Sequence, residues 1–118
     1  MENRQERIMQ ESKSFFLAIN NTDKQQLDVN GNPLNGTRIY AEDFKKGKHT
    51  VLRFIDGFLD GDLFDTQGNL IMQRPAVDAE GHQEYWRKNK LHRDGSAPAV
   101  YSGGFTEEEW WQDGKRIK

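Results

Sequence analysis

The chain has 118 residues, enough for one domain, with 31% charged and 34% apolar residues and a formal net charge of −2. A chain with no cationic excess is a poor ligand for nucleic acid or anionic membrane, and one with no cysteine forms no disulfide or thiolate metal site. Three Trp, three Tyr and seven Phe in so polar a chain predict a thin, aromatic-rich core, as in a single-layer sheet or small solenoid.

Met1 to Gln10 is polar and of mixed charge, without the apolar stretch of a signal peptide. With no 18-residue apolar run either, the expected address is cytoplasmic. Residues 3–20 contain no Gly or Pro, and Ile8, Ser12, Phe15, Phe16 and Ile19 recur at helical spacing. This predicts one amphipathic helix over 3–20, its apolar stripe packed on the sheet that follows.

From about residue 26 turn dipeptides dominate, among them Asn30-Gly31, Asn35-Gly36, Asp56-Gly57, Asp60-Gly61, Asp94-Gly95, Gly103-Gly104 and Asp113-Gly114. Asn-Gly and Asp-Gly suit two-residue hairpin turns, in which both central residues need positive φ. Between them lie runs rich in β-branched and aromatic residues: 37–40, 50–55, 70–73, 83–87, 99–101 and 109–112. The expected fold is mainly β, an antiparallel sheet of tandem β-hairpins over 26–118 preceded by the helix, in one domain.

The hairpin region repeats itself. Glu84-Tyr85-Trp86-Arg87-Lys88-Asn89-Lys90 aligns with Glu109-Trp110-Trp111-Gln112-Asp113-Gly114-Lys115, and Arg74-Pro75-Ala76-Val77 with Ala97-Pro98-Ala99-Val100. Asn30-Gly31 with Leu34-Asn35-Gly36 is echoed by Asp56-Gly57 with Leu59-Asp60-Gly61. The period is about 23–26 residues, two short strands and two turns, with three or four units. The stretch Glu84 to Gly95, continued by Pro98-Ala99-Val100, resembles the MORN-variant repeat of bacteria and large viruses, and Asp56 to Leu70 is similar to the related MORN-2 unit. Asn89 stands where that pattern has its turn Gly, Ala97 replaces the Gly before Pro98, and Arg116-Ile117 replaces Leu-His. The resemblance implies stacked antiparallel hairpins serving as scaffolds, dimerisation modules or lipid-binding surfaces, and, in bacterial members, antitoxins.

Little in the chain points to catalysis. His49, His82 and His92 lack a second ligand at metal spacing, and the Asp56, Asp60, Asp62 and Asp65 stretch fails the calcium-loop pattern. His92 is expected to bond a neighbouring turn carbonyl. No nucleophile elbow or phosphate-cradling loop is present, so no enzyme activity, metal or cofactor is expected.

Tyr85-Trp86 and Trp110-Trp111 are consecutive in expected strands, which places one ring of each pair on either sheet face. One row belongs to the core; the other is covered by the helix or docks a partner. Arg87, Lys88, Lys90 and Arg93 form a basic patch beside these rings, and 56–65 carries four Asp and no cation. The expected binding residues are therefore Trp86, Trp110, Trp111, Arg87, Lys88 and Arg93, with Asp60 and Asp62 as an acidic alternative. The expected function is non-catalytic protein binding: an inhibitor, antitoxin or immunity protein that occludes a partner enzyme. The alternatives are a scaffold that self-associates, as a homodimer, through a sheet edge, and a membrane-peripheral module.

Overall fold

A computed structural model describes residues 12–16, 24–43 and 48–118. These are mainly β, with antiparallel pairing throughout and no helix. Of the helix expected over 3–20, only 12–16 lie among the described residues, and they carry no helical turn; the remainder lies outside them. The short segment is tied down by side-chain carboxylates of the sheet, so its backbone donors are satisfied without a helix.

Strands β1 (Gly36–Asp43) and β2 (Lys48–Ile55) form the longest ladder, with Gly36 opposite Phe54 and Ile39 opposite Val51. β3 (Phe58–Leu59) closes back on β2 through the Asp56-Gly57 turn. β4 (Asp62–Phe64) and β5 (Leu70–Gln73) form a separate hairpin. The main sheet continues from β2 through β6 (Val77–Ala79), β7 (His82–Glu84), β10 (Val100–Ser102) and β11 (Glu107–Glu109). Two small hairpins complete the chain, β8 (Trp86–Arg87) with β9 (Lys90–Leu91), and β12 (Trp111–Gln112) with β13 (Lys115–Arg116).

The expected strands over 83–87 and 109–112 are each broken, at Tyr85 and Trp110. At both places the chain leaves the main sheet and enters a small hairpin. The same closing bond recurs: the backbone N–H groups of Asp60, His92 and Ile117 donate to the carbonyls of Arg53, Tyr85 and Trp110 at 3.1, 3.0 and 2.8 Å. The turns recur too. Asp56-Gly57, Lys88-Asn89 and Asp113-Gly114 have positive φ at both residues, as a two-residue hairpin turn of this hand requires. Asn89 adopts φ 68° where the resembled pattern has Gly. Successive hairpins are stitched by one further bond, from Gly57 N to the Leu34 carbonyl, Asn89 N to Leu59 and Gly114 N to Leu91, at 2.7, 2.9 and 2.9 Å.

Asp60-Gly61 departs from the turn expectation, because neither residue has positive φ. Gly61 is instead a point of close approach: a Cβ there would lie 2.0 Å from the Arg74 carbonyl oxygen.

The core runs along this stack. Phe54, Trp86 and Trp111 occupy like positions, as do Leu59 and Leu91, Ala76 and Ala99, and Val77 and Val100; all are buried. Burying each large side chain is worth about 1.5–3 kcal/mol, so the three aromatic rings and the aliphatic residues between them together hold a thin sheet. Of the two aromatic pairs, Trp110-Trp111 has one ring half-buried and one buried, whereas both rings of Tyr85-Trp86 are buried. Tyr85 is 8% exposed although its neighbour Trp86 is also buried, because the Arg93 guanidinium lies 3.8 Å over the Tyr85 ring. The strand break relaxes the strict alternation of faces.

No helix among the described residues is long and apolar enough to cross a membrane.

Candidate functional site

The β4–β5 hairpin stands beside the β2–β3 and β8–β9 turns and leaves a groove between them of about 460 Å³. Ile55, Phe58, Phe64 and Leu70 form its apolar walls, and Asp56, Asp60, Asp62, Arg87 and Lys88 its charged part. Four expected binding residues, two acidic and two basic, are thus brought to one place although about 25 residues separate the pairs in sequence.

Three of the charged groups, Asp60, Asp62 and Arg87, are fixed by hydrogen bonds to the backbone or to other charged side chains. Asp60 is 6% exposed. Its Oδ1 accepts the Asp62 N–H at 2.9 Å and its Oδ2 the Lys88 N–H at 3.2 Å. Burial pushes the Asp60 carboxyl above its usual range, against the pull of those two N–H donors. Arg87 Nε donates to the buried Asp62 Oδ2, and its two terminal nitrogens donate to Asp94 Oδ1 and Oδ2 at 3.1 and 2.7 Å. Such a forked pair holds both partners ionised. The Arg87 hydrogen bonds, then that of His92, lower the Asp94 carboxyl to about 2, and the two carboxylates raise the guanidinium's value in return.

His92 closes this network in a way the sequence reading did not expect. Its Nδ1 accepts the Asp113 N–H at 3.1 Å, so the ring proton sits on Nε2 and is donated to Asp94 Oδ1 at 2.7 Å. The histidine bonds a turn N–H and a carboxylate, not a turn carbonyl. Asp94 N–H in turn donates to Gln73 Oε1 at 2.9 Å, which ties the end of β5 to the network.

The hairpin beside the groove is unusual in its exposure. Phe64, Leu70, Ile71 and Met72 are 47%, 42%, 58% and 49% exposed, and three of them are consecutive. A register irregularity after Leu63 disturbs the alternation that would turn half of them inward. At the tip, Asp65 Oδ1 accepts the N–H groups of Gln67 and Asn69, both at 2.9 Å, which fixes the loop. These donors, Asn69 foremost, lower the Asp65 carboxyl.

The other expected binding residues lie elsewhere. Trp86 and Trp111 are each 1% exposed in the core, where their rings present no surface to a second molecule. Trp110 is half-buried with Lys118 Nζ 5.0 Å from its ring centroid. Arg93 bonds the Pro98 carbonyl at 3.1 Å and the Tyr101 hydroxyl at 3.2 Å, over Tyr85. The apolar walls of the groove were missed from sequence; Phe64 and the run Leu70-Ile71-Met72 carried a signal, as large apolar residues close to a turn, but read equally well as core.

The groove lining contains no hydroxyl, thiol or imidazole, and its Asp60 and Asp62 carboxylates are engaged by backbone and guanidinium donors. This arrangement suits recognition by shape and charge. Among the described residues no group of three or more His, Asp or Glu side chains is placed to hold a metal ion. Comparison of the chain with protein-family models, with curated proteins and with solved structures returned no match.

Proposed function

We propose that this protein is a non-catalytic protein-binding module, built as a tandem array of MORN-like hairpins, that occludes a partner enzyme as an inhibitor, antitoxin or immunity protein in the cytoplasm. The observation that carries the reading is the β4–β5 hairpin, which offers Phe64, Leu70, Ile71 and Met72 to solvent beside a groove of fixed opposite charges. Contiguous exposed apolar surface rimmed by polar groups marks interaction sites. Here the ion pairs supply the orientation that apolar contact lacks. The resemblance to antitoxin repeats supports the enzyme-inhibitor form.

The test is affinity capture from the native host with the wild-type chain and with a Phe64→Ser/Ile71→Ser/Met72→Ser variant whose circular dichroism is unchanged. The reading expects a stoichiometric protein retained by the wild type and lost by the variant, with its activity suppressed in the complex. Equal recovery by both chains refutes it.

Self-association is the second reading, favoured by β1, an eight-residue strand at one end of the sheet order with Ile39 66% exposed. An open edge invites pairing with another copy. Light scattering that gives a monomer at high concentration removes it.

A further inference from the structure

The core row of the main sheet contains two residues that do not belong in a core. Leu52, Val77, Glu84, Val100 and Glu109 are successive partners across five strands, so their side chains share one face. Glu84 is 0% and Glu109 4% exposed. Each precedes a buried Trp by two residues, and Nε1 of that Trp, in Trp86 and in Trp111, donates to its Oε1 at 2.9 Å.

The remaining acceptor positions are taken by residues 12–15, in the same way at both sites. Ser12 Oγ donates to Glu109 Oε1, and Lys13 N–H to Glu109 Oε2 at 2.7 Å. Ser14 Oγ donates to Glu84 Oε1 at 2.7 Å, and Phe15 N–H to Glu84 Oε2 at 2.6 Å. Each Glu-x-Trp unit therefore reads one dipeptide, by a hydroxyl on its first residue and the amide of its second. Ser12, Ser14 and Phe16 are half-buried while Lys13 and Phe15 are exposed, the alternation of a segment read on one side. The unit Leu52-Arg53-Phe54 has no carboxylate, and the third inward residue of the segment is correspondingly apolar: Phe16 packs against the core cluster that includes Leu52.

The receiving side is held without the segment. Glu84 is bonded by Trp86 and by His82 Nε2 at 2.6 Å, and His82 Nδ1 lies 3.2 Å from Ser102 Oγ. The Phe15 ring stacks on the His82 imidazole, with centroids 3.7 Å apart and planes 6° apart. A hollow of about 530 Å³ opens beside it, between Thr50, Ala79 and Gly81. Fixed acceptors in a row, with space beside the stacked ring, are the features of a preorganised peptide site.

We infer that this sheet face is a peptide-binding site for segments of the pattern Ser-x-Ser-x-Phe, each buried glutamate selecting one hydroxyl residue, and that the chain's own residues 12–16 occupy it in cis. The ligand in trans is a peptide of the same pattern. A phosphoserine is excluded, since its charge would meet a buried carboxylate. The site is separate from the groove and stands whether or not the groove takes a protein.

The test uses a fluorescent peptide of residues 10–18 and the full chain carrying Ser12→Ala and Ser14→Ala, which weakens the cis occupant and leaves the receiving groups intact. Anisotropy should show at least tenfold tighter peptide binding by this variant than by wild type. Replacing both peptide serines with alanine, or phosphorylating the one equivalent to Ser14, should weaken binding at least tenfold. A folded variant that ignores the peptide at millimolar concentration, or takes the alanine peptide equally well, overturns the inference. If the double change unfolds the chain, deuterium exchange of the wild-type Lys13 and Phe15 amides decides. Saturating peptide accelerates it at least tenfold if the site exchanges occupants, and unchanged exchange overturns the proposal.

Discussion

Replacing Glu84 by glutamine keeps its shape and removes one acceptor oxygen, and the structure allows the cost to be worked out. Four donors converge on this carboxylate: Ser14 Oγ and Trp86 Nε1 on Oε1, Phe15 N and His82 Nε2 on Oε2. Glutamine offers one oxygen and one NH2. With the NH2 at the Oε2 position, His82 can shift its proton to Nδ1 and donate to Ser102 Oγ, but the Phe15 N–H is left facing a donor. With the NH2 at the Oε1 position, the Ser14 hydroxyl can turn and accept, but Trp86 Nε1–H is orphaned. One N–H is stranded in either orientation, at about 1–3 kcal/mol, and the charge assistance of the other bonds is lost. The expected loss is about 2 kcal/mol. Urea denaturation at neutral pH reads this as a midpoint lower by about 1.3 M, taking a slope of about 1.5 kcal/mol/M. Glu84→Leu should cost more than Glu84→Gln, because it strands the Trp86 Nε1–H and the Phe15 N–H together, even though leucine is the residue at Leu52 in the same row. A glutamine variant with an unchanged midpoint, or a leucine variant more stable than the glutamine one, refutes the reasoning and makes the row an ordinary apolar one.

Gly61→Ala should lower the melting temperature by about 10 °C, from a loss of about 3 kcal/mol. Its Cβ would sit 2.0 Å from the Arg74 oxygen and 2.8 Å from the Arg74 carbonyl carbon, backbone atoms with no rotamer to yield; a drop no larger than that of Gly68→Ala at the open loop tip contradicts this. Acid titration should expose the Arg87 network. Asp94 falls from the usual 3.8 to about 2 in the folded chain, so its contribution is complete above about pH 4 and is lost as pH falls from about 4 to 2. Because Asp94 is half exposed, solvent screening holds the effect to about 1 kcal/mol or less. Asp60, raised by burial, works in the opposite sense, since its protonation on acidification relieves a buried charge. Arg87→Met should flatten the pH 4 to 2 fall in stability measured by denaturant midpoints; an equally steep fall in that variant removes Asp94 as its source.

Much of the β architecture was legible because turn chemistry is local. Asp56-Gly57 and Asp113-Gly114 announce two-residue hairpins by residue type alone, and the alignment of Glu84-Tyr85-Trp86 with Glu109-Trp110-Trp111 located the like hairpins. The same local signal misled at Asp60-Gly61, where the glycine serves a close approach to Arg74, a contact that no dipeptide encodes. Of the helix expected over 3–20, residues 12–16 depart from helical spacing, because two carboxylates of the sheet hold residues 12–15. The groove was half legible. Its charges were visible as an acidic run and a basic run, but their meeting at Arg87 and Asp62 was not, because that depends on how the hairpins stack.

What the sequence by itself determined is what composition and short-range sterics decide: the absence of disulfides, the β-rich chain, turns such as Asp56-Gly57 and Asp113-Gly114, and the spacing of the aromatic pairs. What only the tertiary structure decided is the fate of each polar group and ring. Trp86 and Trp111 are buried, Trp110 lies half-open, and two glutamates sit in a core row because distant N–H and O–H donors reach them there. The reason is physical. A turn is settled by the φ of two adjacent residues, whereas a buried carboxylate is tolerated or forbidden by partners that adjoin it only after folding.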